Sequence, residues 1–306
     1  MISDTVYIDT HIHGAFGEDV SDASFEGIMR MARRLPEFKV KAFCPTTMTI
    51  SEDNIMKCFE AVSKAKSILQ EEGGDYADIL GIHLEGPFMS PSKAGVQNKD
   101  FCVPPSKAAR IVERIEKNYP GLLKIIDVAP ELDGGIEFIK EFSSSYVLSL
   151  AHTDADYDKA MEAFEAGASS VTHILNAMLP CSKRSPGVLG AAYDRKDIFC
   201  EVICDGIHIA PAVLRMLFEL IDERRLIVIS DSMRGAGMPD GVYKLADADV
   251  TVKSGRTYYG KNGSLAGSVT NMKQEADNLI SYGIDPQKVH LACVENPLSR
   301  LKLVLK

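Results

Sequence analysis

The sequence lacks the features that are typical of membrane-spanning, nucleic-acid-binding and secreted proteins. No apolar run approaches the roughly 18 residues of a membrane-spanning helix, and the amino terminus has no basic, apolar signal segment. Lys and Arg are not clustered, and the net charge of -9 argues against binding to nucleic acid or an anionic membrane. The 7 cysteines include no Cys-x-x-Cys pair, so we expect reduced thiols and a cytoplasmic protein.

The sequence also lacks a linker or a low-complexity segment, so we predict one domain over residues 1–306. Short β-branched apolar runs alternate with longer helical patterns, which is typical of βαβ units and a parallel sheet. The predicted strands are 6–9, 42–45, 79–85, 123–128, 146–152, 169–173, 199–204 and 226–230. Helices are predicted at 52–70, 106–118, 157–166 and 211–221, with closing helices at 271–282 and 286–295.

Polar residues at the strand ends favour a (β/α)8 TIM-type barrel over an open doubly wound sheet. The carboxyl ends of barrel strands converge on one mouth, whereas in an open sheet they would lie along an edge. The residues at or just past these ends are His11, His13, Glu85, His152, His173, Asp205 and Asp231. Residues 243–259 alternate around a Ser-Gly turn, which predicts a β-hairpin inserted over the mouth after the eighth strand.

The strand-end residues have the chemistry of a metal site. His11 and His13 point the same way on a strand, so both can bind one cation, although two ordinary polar histidines fit the same pattern. Glu85 ends an apolar strand, where a carboxylate is costly unless it is paired or binds metal, and it could bridge two ions. With His152 and His173 the set suits one or two ions of Zn, or of Fe, Mn or Co.

Asp231 is the candidate catalytic residue, because a carboxylate beside an activated water can accept its proton and return it to a leaving group. The alternative is a helix N-cap, which the Arg-Gly-Ala-Gly that follows does not favour. His83 shares the face of Glu85, and we expect it to be a partner behind the metal site or a core histidine.

A series of motifs runs through nearly the whole chain. They are HLEGPF at 83–88, AHTDA at 151–155, VTHILNAM at 171–178, RSPG at 184–187, DGIHIAP at 205–211, SDSM at 230–233 and LAGS at 265–268. In this order they resemble the N-acetylglucosamine-6-phosphate deacetylases of the amidohydrolase superfamily. The resemblance implies release of acetate from an N-acetylated sugar phosphate by metal-activated water, with Asp231 as base and then acid.

The resemblance also implies how ligands and substrate are held. Glu85, His152 and His173 would hold one ion, and the His11/His13 pair, which not all members have, would hold a second. Substrate contacts would come from Asn176 and Ala177 through backbone donors, from His208, and from Arg184 of a neighbouring subunit in a homodimer. Arg suits a phosphate because it donates two parallel hydrogen bonds, although a surface Arg could equally be solvated.

Two departures from the family pattern bear on function. Gln97 stands where family members typically have a substrate-contacting histidine, and an amide cannot titrate near neutral pH. We also expect the family's small β-sandwich domain, built from both termini, to be lacking. A related amidohydrolase acting on another N-acyl or cyclic amide therefore stays open, as does a non-catalytic metal-binding sensor or scaffold.

Overall fold

The computed structural model describes residues 6–261 and 263–304 and contains eight parallel strands arranged as a barrel. The strands are β1 (Tyr7–Ile12), β2 (Val40–Pro45), β3 (Ile82–Leu84), β4 (Leu123–Val128), β5 (Val147–Leu150), β6 (Ser170–Val171), β7 (Phe199–Ile203) and β8 (Leu226–Ile229). Strands β3 to β8 form one continuous ladder and β1 pairs with β2. Bridges between Ile12 and Ser232 and between Thr46 and His83 close the circle. The predicted TIM-type fold is confirmed.

Helices cover the outside of the strands. They are α1 (Phe25–Arg34), α2 (Glu52–Glu72), α3 (Ala109–Asn118), α4 (Gly135–Phe142), α5 (Tyr157–Ala166), α6 (Gly187–Asp194), α7 (Pro211–Leu220), α8 (Met272–Ser281), α9 (Pro286–His290) and α10 (Asn296–Arg300). Local sequence explains several boundaries: Pro211 begins α7, and Gly167 ends α5 with a left-handed backbone at φ 116°. No helix among the described residues has the length and apolarity needed to cross a membrane.

Several predicted elements end earlier or are broken in the structure. The predicted strand at 79–85 is interrupted at Gly81, whose φ is 157°; Asp78–Ile79 pairs with β2, and β3 begins only at Ile82. The strands predicted at 146–152 and 169–173 stop at Leu150 and Val171, because the chain turns into left-handed conformations just beyond them. The predicted helix at 106–118 begins as a separate 3-10 turn, Pro105–Lys107.

The predicted hairpin around Ser254–Gly255 is present, and a third strand joins it. The insertion is an antiparallel sheet of β9 (Gly241–Leu245), β10 (Ala248–Lys253) and β11 (Arg256–Tyr259). One face packs on the barrel mouth through Leu245, Val250 and Val252, which are buried. A smaller ribbon, Gly14–Ala15 with Glu18–Asp19, follows β1 on the same side.

The carboxy-terminal helix α10 closes the opposite end of the barrel. Asn296 donates through Nδ2 to the carbonyls of Glu223 and Leu226, both at 2.7 Å, at the start of β8. Leu298 packs with Ile8 and Ala42 at the starts of β1 and β2. Apolar side chains fill the layer between strands and helices, whereas the barrel interior is polar, so the polar groups lie under the mouth.

Two glycines with nearly the same backbone offer a test of packing in the loops. Gly134 and Gly121 have φ of 75° and 71°. An added Cβ at Gly134 would lie 2.6 Å from the Cα and N of Ser106, whereas at Gly121 it would meet nothing within 4 Å. We expect Gly121→Ala to lower the free energy of unfolding by about 1 kcal/mol through backbone strain alone. Gly134→Ala should cost about 1–3 kcal/mol more, because it adds a clash. Equal losses in urea unfolding would contradict the packing described here.

Candidate active site

Three of the site residues share one unusual backbone position. His152, His173 and Asp231 each lie two residues past a barrel strand, and their φ angles are positive, at 43°, 30° and 47°. A non-glycine residue pays of order 1–3 kcal/mol for this conformation, which persists only where its surroundings fix it. Here the Asp231 N–H donates to the His11 carbonyl at 3.0 Å, and the carbonyl of His152 accepts from Ser90 at 2.9 Å. The shared turn directs all three side chains into the mouth.

The Glu85 carboxylate lies at the centre of the site. Its Oε1 is 3.2 Å from His152 Nε2 and 3.1 Å from His173 Nε2, and its Oε2 is 3.3 Å from His13 Nε2. His11 Nε2 lies 3.5 Å from Oε1. Glu85 therefore faces both the His152/His173 pair and the His11/His13 pair, as a bridging ligand must.

The distances between donor atoms fit a bound cation. His11 Nε2 and His13 Nε2 are 3.3 Å apart, and Asp231 Oδ1 lies 3.5 and 3.2 Å from them. Four ligands at about 2.1 Å around a tetrahedral ion would be about 3.4 Å apart. Three groups of potential ligands result among the described residues, all buried: His11, His13 and Asp231; Glu85, His152 and His173; and, behind the mouth, His11, His83 and Glu201. The residues present therefore fit one or two divalent ions.

The outward nitrogens of the imidazoles leave Nε2 free to bind metal. His13 Nδ1 lies 3.2 Å from the Thr46 carbonyl, and His152 Nδ1 lies 2.7 Å from the Lys93 carbonyl. His11 Nδ1 instead faces the Glu201 carboxylate at 3.1 Å. A proton on the outward nitrogen fixes the tautomer with Nε2 unprotonated, which is the form that coordinates an ion.

The electrostatics of the metal-free site favour bound positive charge. Burial would lower the pKa of His173, but the hydrogen bond and charge of Glu85 raise it to about 9. Burial alone would also lower the pKa of His13, but the Asp231 and Glu85 carboxylates raise that pKa well above its usual range. For Glu85, burial alone would raise the pKa, yet the surrounding imidazoles lower it well below the usual value. Without an ion, protonated imidazoles supply the positive charge that balances these carboxylates.

A cleft of about 350 Å³ opens above these ligands. Gln97, Asn176, Ala177 and His208 border it together with the ligands, so the structure brings these predicted substrate contacts to one place. Arg184 is exposed and lies outside the cleft lining. Its role in binding a phosphate stays a prediction.

The predicted substrate contacts differ in how they are held. Gln97 donates through Nε2 to Glu85 Oε2 and accepts from the Thr49 N–H at 2.6 Å, so its amide is already engaged with the central carboxylate. The Asn176 N–H donates to the His173 carbonyl at 2.9 Å, so in this structure it is not the free backbone donor that the sequence predicted. His208 Nδ1 lies 2.7 Å from Asp205 Oδ2, which fixes the ring and leaves its other nitrogen for a ligand.

Sequence reasoning missed some residues near the site. Lys93 lines the cleft and pairs with Asp154 at 3.3 Å. Glu201 lies in the apolar run of β7 and is fully buried, which was a detectable signal, because a charged residue in such a run needs a partner. Its partner Arg300 is distant in sequence and could not be assigned. His83 lies behind the site, 3.0 Å from both Asp127 Oδ1 and the Thr10 carbonyl.

Comparison with known proteins places this barrel in a class. No family model matches the sequence. The chain superimposes on an N-acetyl-D-glucosamine-6-phosphate deacetylase variant from Mycobacterium smegmatis, in complex with N-acetyl-D-glucosamine-6-phosphate, with a TM-score of 0.88 and 28% identity over 97% of this chain and 77% of that one. The Thermotoga maritima deacetylase gives a TM-score of 0.86 at 28% identity, covering 97% and 78%. The fold is that of an enzyme of the amidohydrolase superfamily, and the clustered imidazoles and carboxylates could hold a divalent metal.

Sequence relatives define the family. The chain is 40% identical over 276 residues to N-acetylglucosamine-6-phosphate deacetylase from Bacillus subtilis, covering 90% of this chain and 69% of that protein. It is 31% identical over 296 residues to N-acetylgalactosamine-6-phosphate deacetylase from Escherichia coli O157:H7, covering 94% and 74%. The chain belongs to the N-acetylglucosamine-6-phosphate deacetylase family, as its motifs predicted.

The raised pKa values predict that metal binding releases protons. Because His13 and His173 hold protons at neutral pH in the metal-free chain, an ion must displace them. We expect Zn²⁺ affinity to rise with pH through the pKa of His173, about 9, and to level off once His13 has also lost its proton. Chelator competition at several pH values, with an indicator for released protons, measures both. His173→Asn should release fewer protons, and an affinity independent of pH would contradict this electrostatic account.

Proposed function

We propose that this chain hydrolyses N-acetylglucosamine 6-phosphate to glucosamine 6-phosphate and acetate. The supporting observation is the placement of Asp231 beside two ligand groups that share Glu85, at the base of a cleft bordered by Asn176, Ala177 and His208. The family relationship and the sugar phosphate bound to the Mycobacterium smegmatis structure support the choice of substrate.

Glu85, His152 and His173 would hold one divalent ion and His11 and His13 would hold a second, with Glu85 facing both pairs of imidazoles. Imidazole and carboxylate ligands favour zinc, with iron, manganese and cobalt as the alternatives. When bound, such an ion supplies Lewis acidity, polarising the amide carbonyl and making water acidic enough to lose a proton near neutral pH.

Asp231 moves the proton during the reaction. Its Oδ1 faces His11 and His13, and the two imidazoles help to lower its pKa against the opposing effect of burial, so it enters as a carboxylate. It accepts a proton from the attacking water as the oxygen bonds to the acetyl carbon. It returns that proton to the nitrogen as the carbon–nitrogen bond breaks, so acetate and the amine leave.

The remaining residues bind and orient the sugar. His208, held by Asp205, contacts the substrate through its other ring nitrogen, while Asn176 and Ala177 border the cleft wall. Gln97 fixes Glu85 and borders the acetyl position. Arg184 of a neighbouring subunit binds the 6-phosphate, which makes the working form a homodimer. The seven cysteines are all unpaired, which supports a cytoplasmic enzyme in which residues 1–306 act as one catalytic domain.

The proposal predicts a loss of catalytic activity when Asp231, the residue that transfers the proton, is replaced. Asp231→Asn should lower kcat for acetate release by about 10²–10⁴-fold and keep bound metal, because the amide oxygen preserves the shape of the ligand. Asp53→Asn, at a side chain that is 80% exposed, is the matched control and should change neither. If the metal-loaded wild type releases no acetate from any N-acetylated hexosamine 6-phosphate, the proposal fails and a non-catalytic role gains support.

A second prediction concerns the phosphate and the dimer. Arg184→Ala should raise KM for the 6-phosphate and leave the weak turnover of the unphosphorylated sugar unchanged. In an equal mixture of Arg184→Ala and Asp231→Asn subunits, about half of the dimers are mixed, and each mixed dimer has one of its two sites with both residues intact. Activity should therefore recover to about a quarter of the wild-type value. Arg110→Ala, on an 80% exposed side chain, is the control. No recovery on mixing would place Arg184 outside the partner's site.

A further inference from the structure

A buried ionic network lies beneath the candidate metal site. The Glu201 carboxylate on β7 accepts from Arg300 Nη1 at 2.7 Å through Oε1, and its Oε2 lies 3.1 Å from His11 Nδ1. The side chains of Glu201 and His11 are fully buried, and that of Arg300 is 1% exposed. The network therefore joins α10 to a predicted metal ligand without contact with solvent.

Arg300 is held from several directions. Its guanidinium donates to Thr10 Oγ1 on β1 at 2.6 Å and to Ser170 Oγ on β6 at 3.1 Å, in addition to Glu201 on β7. A planar guanidinium with fixed donor directions leaves little freedom to a carboxylate bound between it and an imidazole. The position of the Glu201 Oε2 atom under His11 is thus set by three strands.

His11 differs from the other candidate imidazole ligands in its outward partner. His13 and His152 face backbone carbonyls, and His173 Nδ1 has no hydrogen-bond partner in the described part of the chain. The carboxylate at His11 is a stronger acceptor than a carbonyl. It holds the Nδ1 proton more firmly and makes Nε2 a better electron donor to an ion.

Stability alone gives little reason for this network. Two buried charges lose their hydration, and an apolar pair of similar volume would serve packing as well or better. Leu298 on the same helix already fills the closed end of the barrel with Ile8 and Ala42. What an apolar pair could not supply is a charged acceptor under His11.

We propose that Glu201, fixed by Arg300, is a positioning residue that sets the tautomer and orientation of His11 and so controls ion affinity in the His11/His13 half of the site. This inference rests on the proposed function, because it assumes that His11 binds an ion. The Glu85/His152/His173 half contacts neither residue and should depend on the network only through Glu85, which also faces His11.

The test is a double variant, Glu201→Gln with Arg300→Met, which removes both charges and leaves no unpaired buried ion to unfold the protein. Zn²⁺ titration of the metal-free full chain against a chromophoric chelator resolves the two ions. We expect one ion to lose about 10–100-fold in affinity, as when a ligand loses its outer partner, and the other to change much less. His11→Asn identifies the affected ion, since it should weaken the same one.

Asp127→Asn is the matched control. Asp127 is also a fully buried carboxylate beside an imidazole, His83, at 3.0 Å, but His83 is not among the proposed ligands. Both ion affinities should survive in this variant. Thermal unfolding of all metal-free variants shows whether a change in affinity is merely a change in stability.

The tautomer offers a readout that a purely structural role would not move. Spectra of ¹⁵N-histidine-labelled metal-free protein report which nitrogen of each ring carries the proton. We expect Nδ1 of His11 to carry a proton in the wild type and to lose it in part of the double-variant molecules, with partial recovery when Arg300→Lys is made with Glu201 intact.

The outcomes separate the inference from the proposed function. Two bound ions in the double variant with wild-type affinities, or an unchanged His11 tautomer, would overturn the inference alone. If the His11→Asn variant binds metal as the wild type does, both the inference and the second metal site are wrong. Loss of the expected ion without acetate release by the wild type would support the inference and overturn the proposed substrate chemistry.

Discussion

The whole site depends on one buried carboxylate, that of Glu85, which requires positive charge beside it. Glu85 is 2% exposed at the end of a barrel strand, where an isolated charge would be strongly unfavourable. Four imidazoles surround it. Those of His11 and His13 come from the end of β1, and those of His152 and His173 follow β5 and β6, which only a closed barrel brings next to β1. The fold, the protonation of the metal-free site and its capacity for divalent ions all follow from this requirement.

The sequence predicted the parts of the molecule that local pattern controls. Strand β4 and helix α5 have the predicted bounds, because apolar periodicity and a capping Gly167 define them within one segment. The five predicted ligands converge as expected, since strand-end position in a barrel is a local property with a global consequence. The break at Gly81 was not predicted, because the pattern of apolar residues continues through it.

What escaped prediction depends on contacts between distant segments. The left-handed turns at His152 and Asp231 have no marker such as glycine, and neighbouring loops fix them. Arg300 lies 99 residues from Glu201 and 290 from Thr10, so no spacing rule links them. The third strand of the insertion likewise became evident only from its pairing with β10.

The contact between Thr10 and Arg300 also bears on when the site can form. Thr10, next to His11, precedes Arg300 by 290 residues, so the strand with the His11/His13 pair is synthesised long before the helix that supports it from below. A nascent chain therefore presents exposed histidines long before their geometry selects an ion. Under the proposed function, metal insertion into the His11/His13 half would therefore follow closure of the barrel.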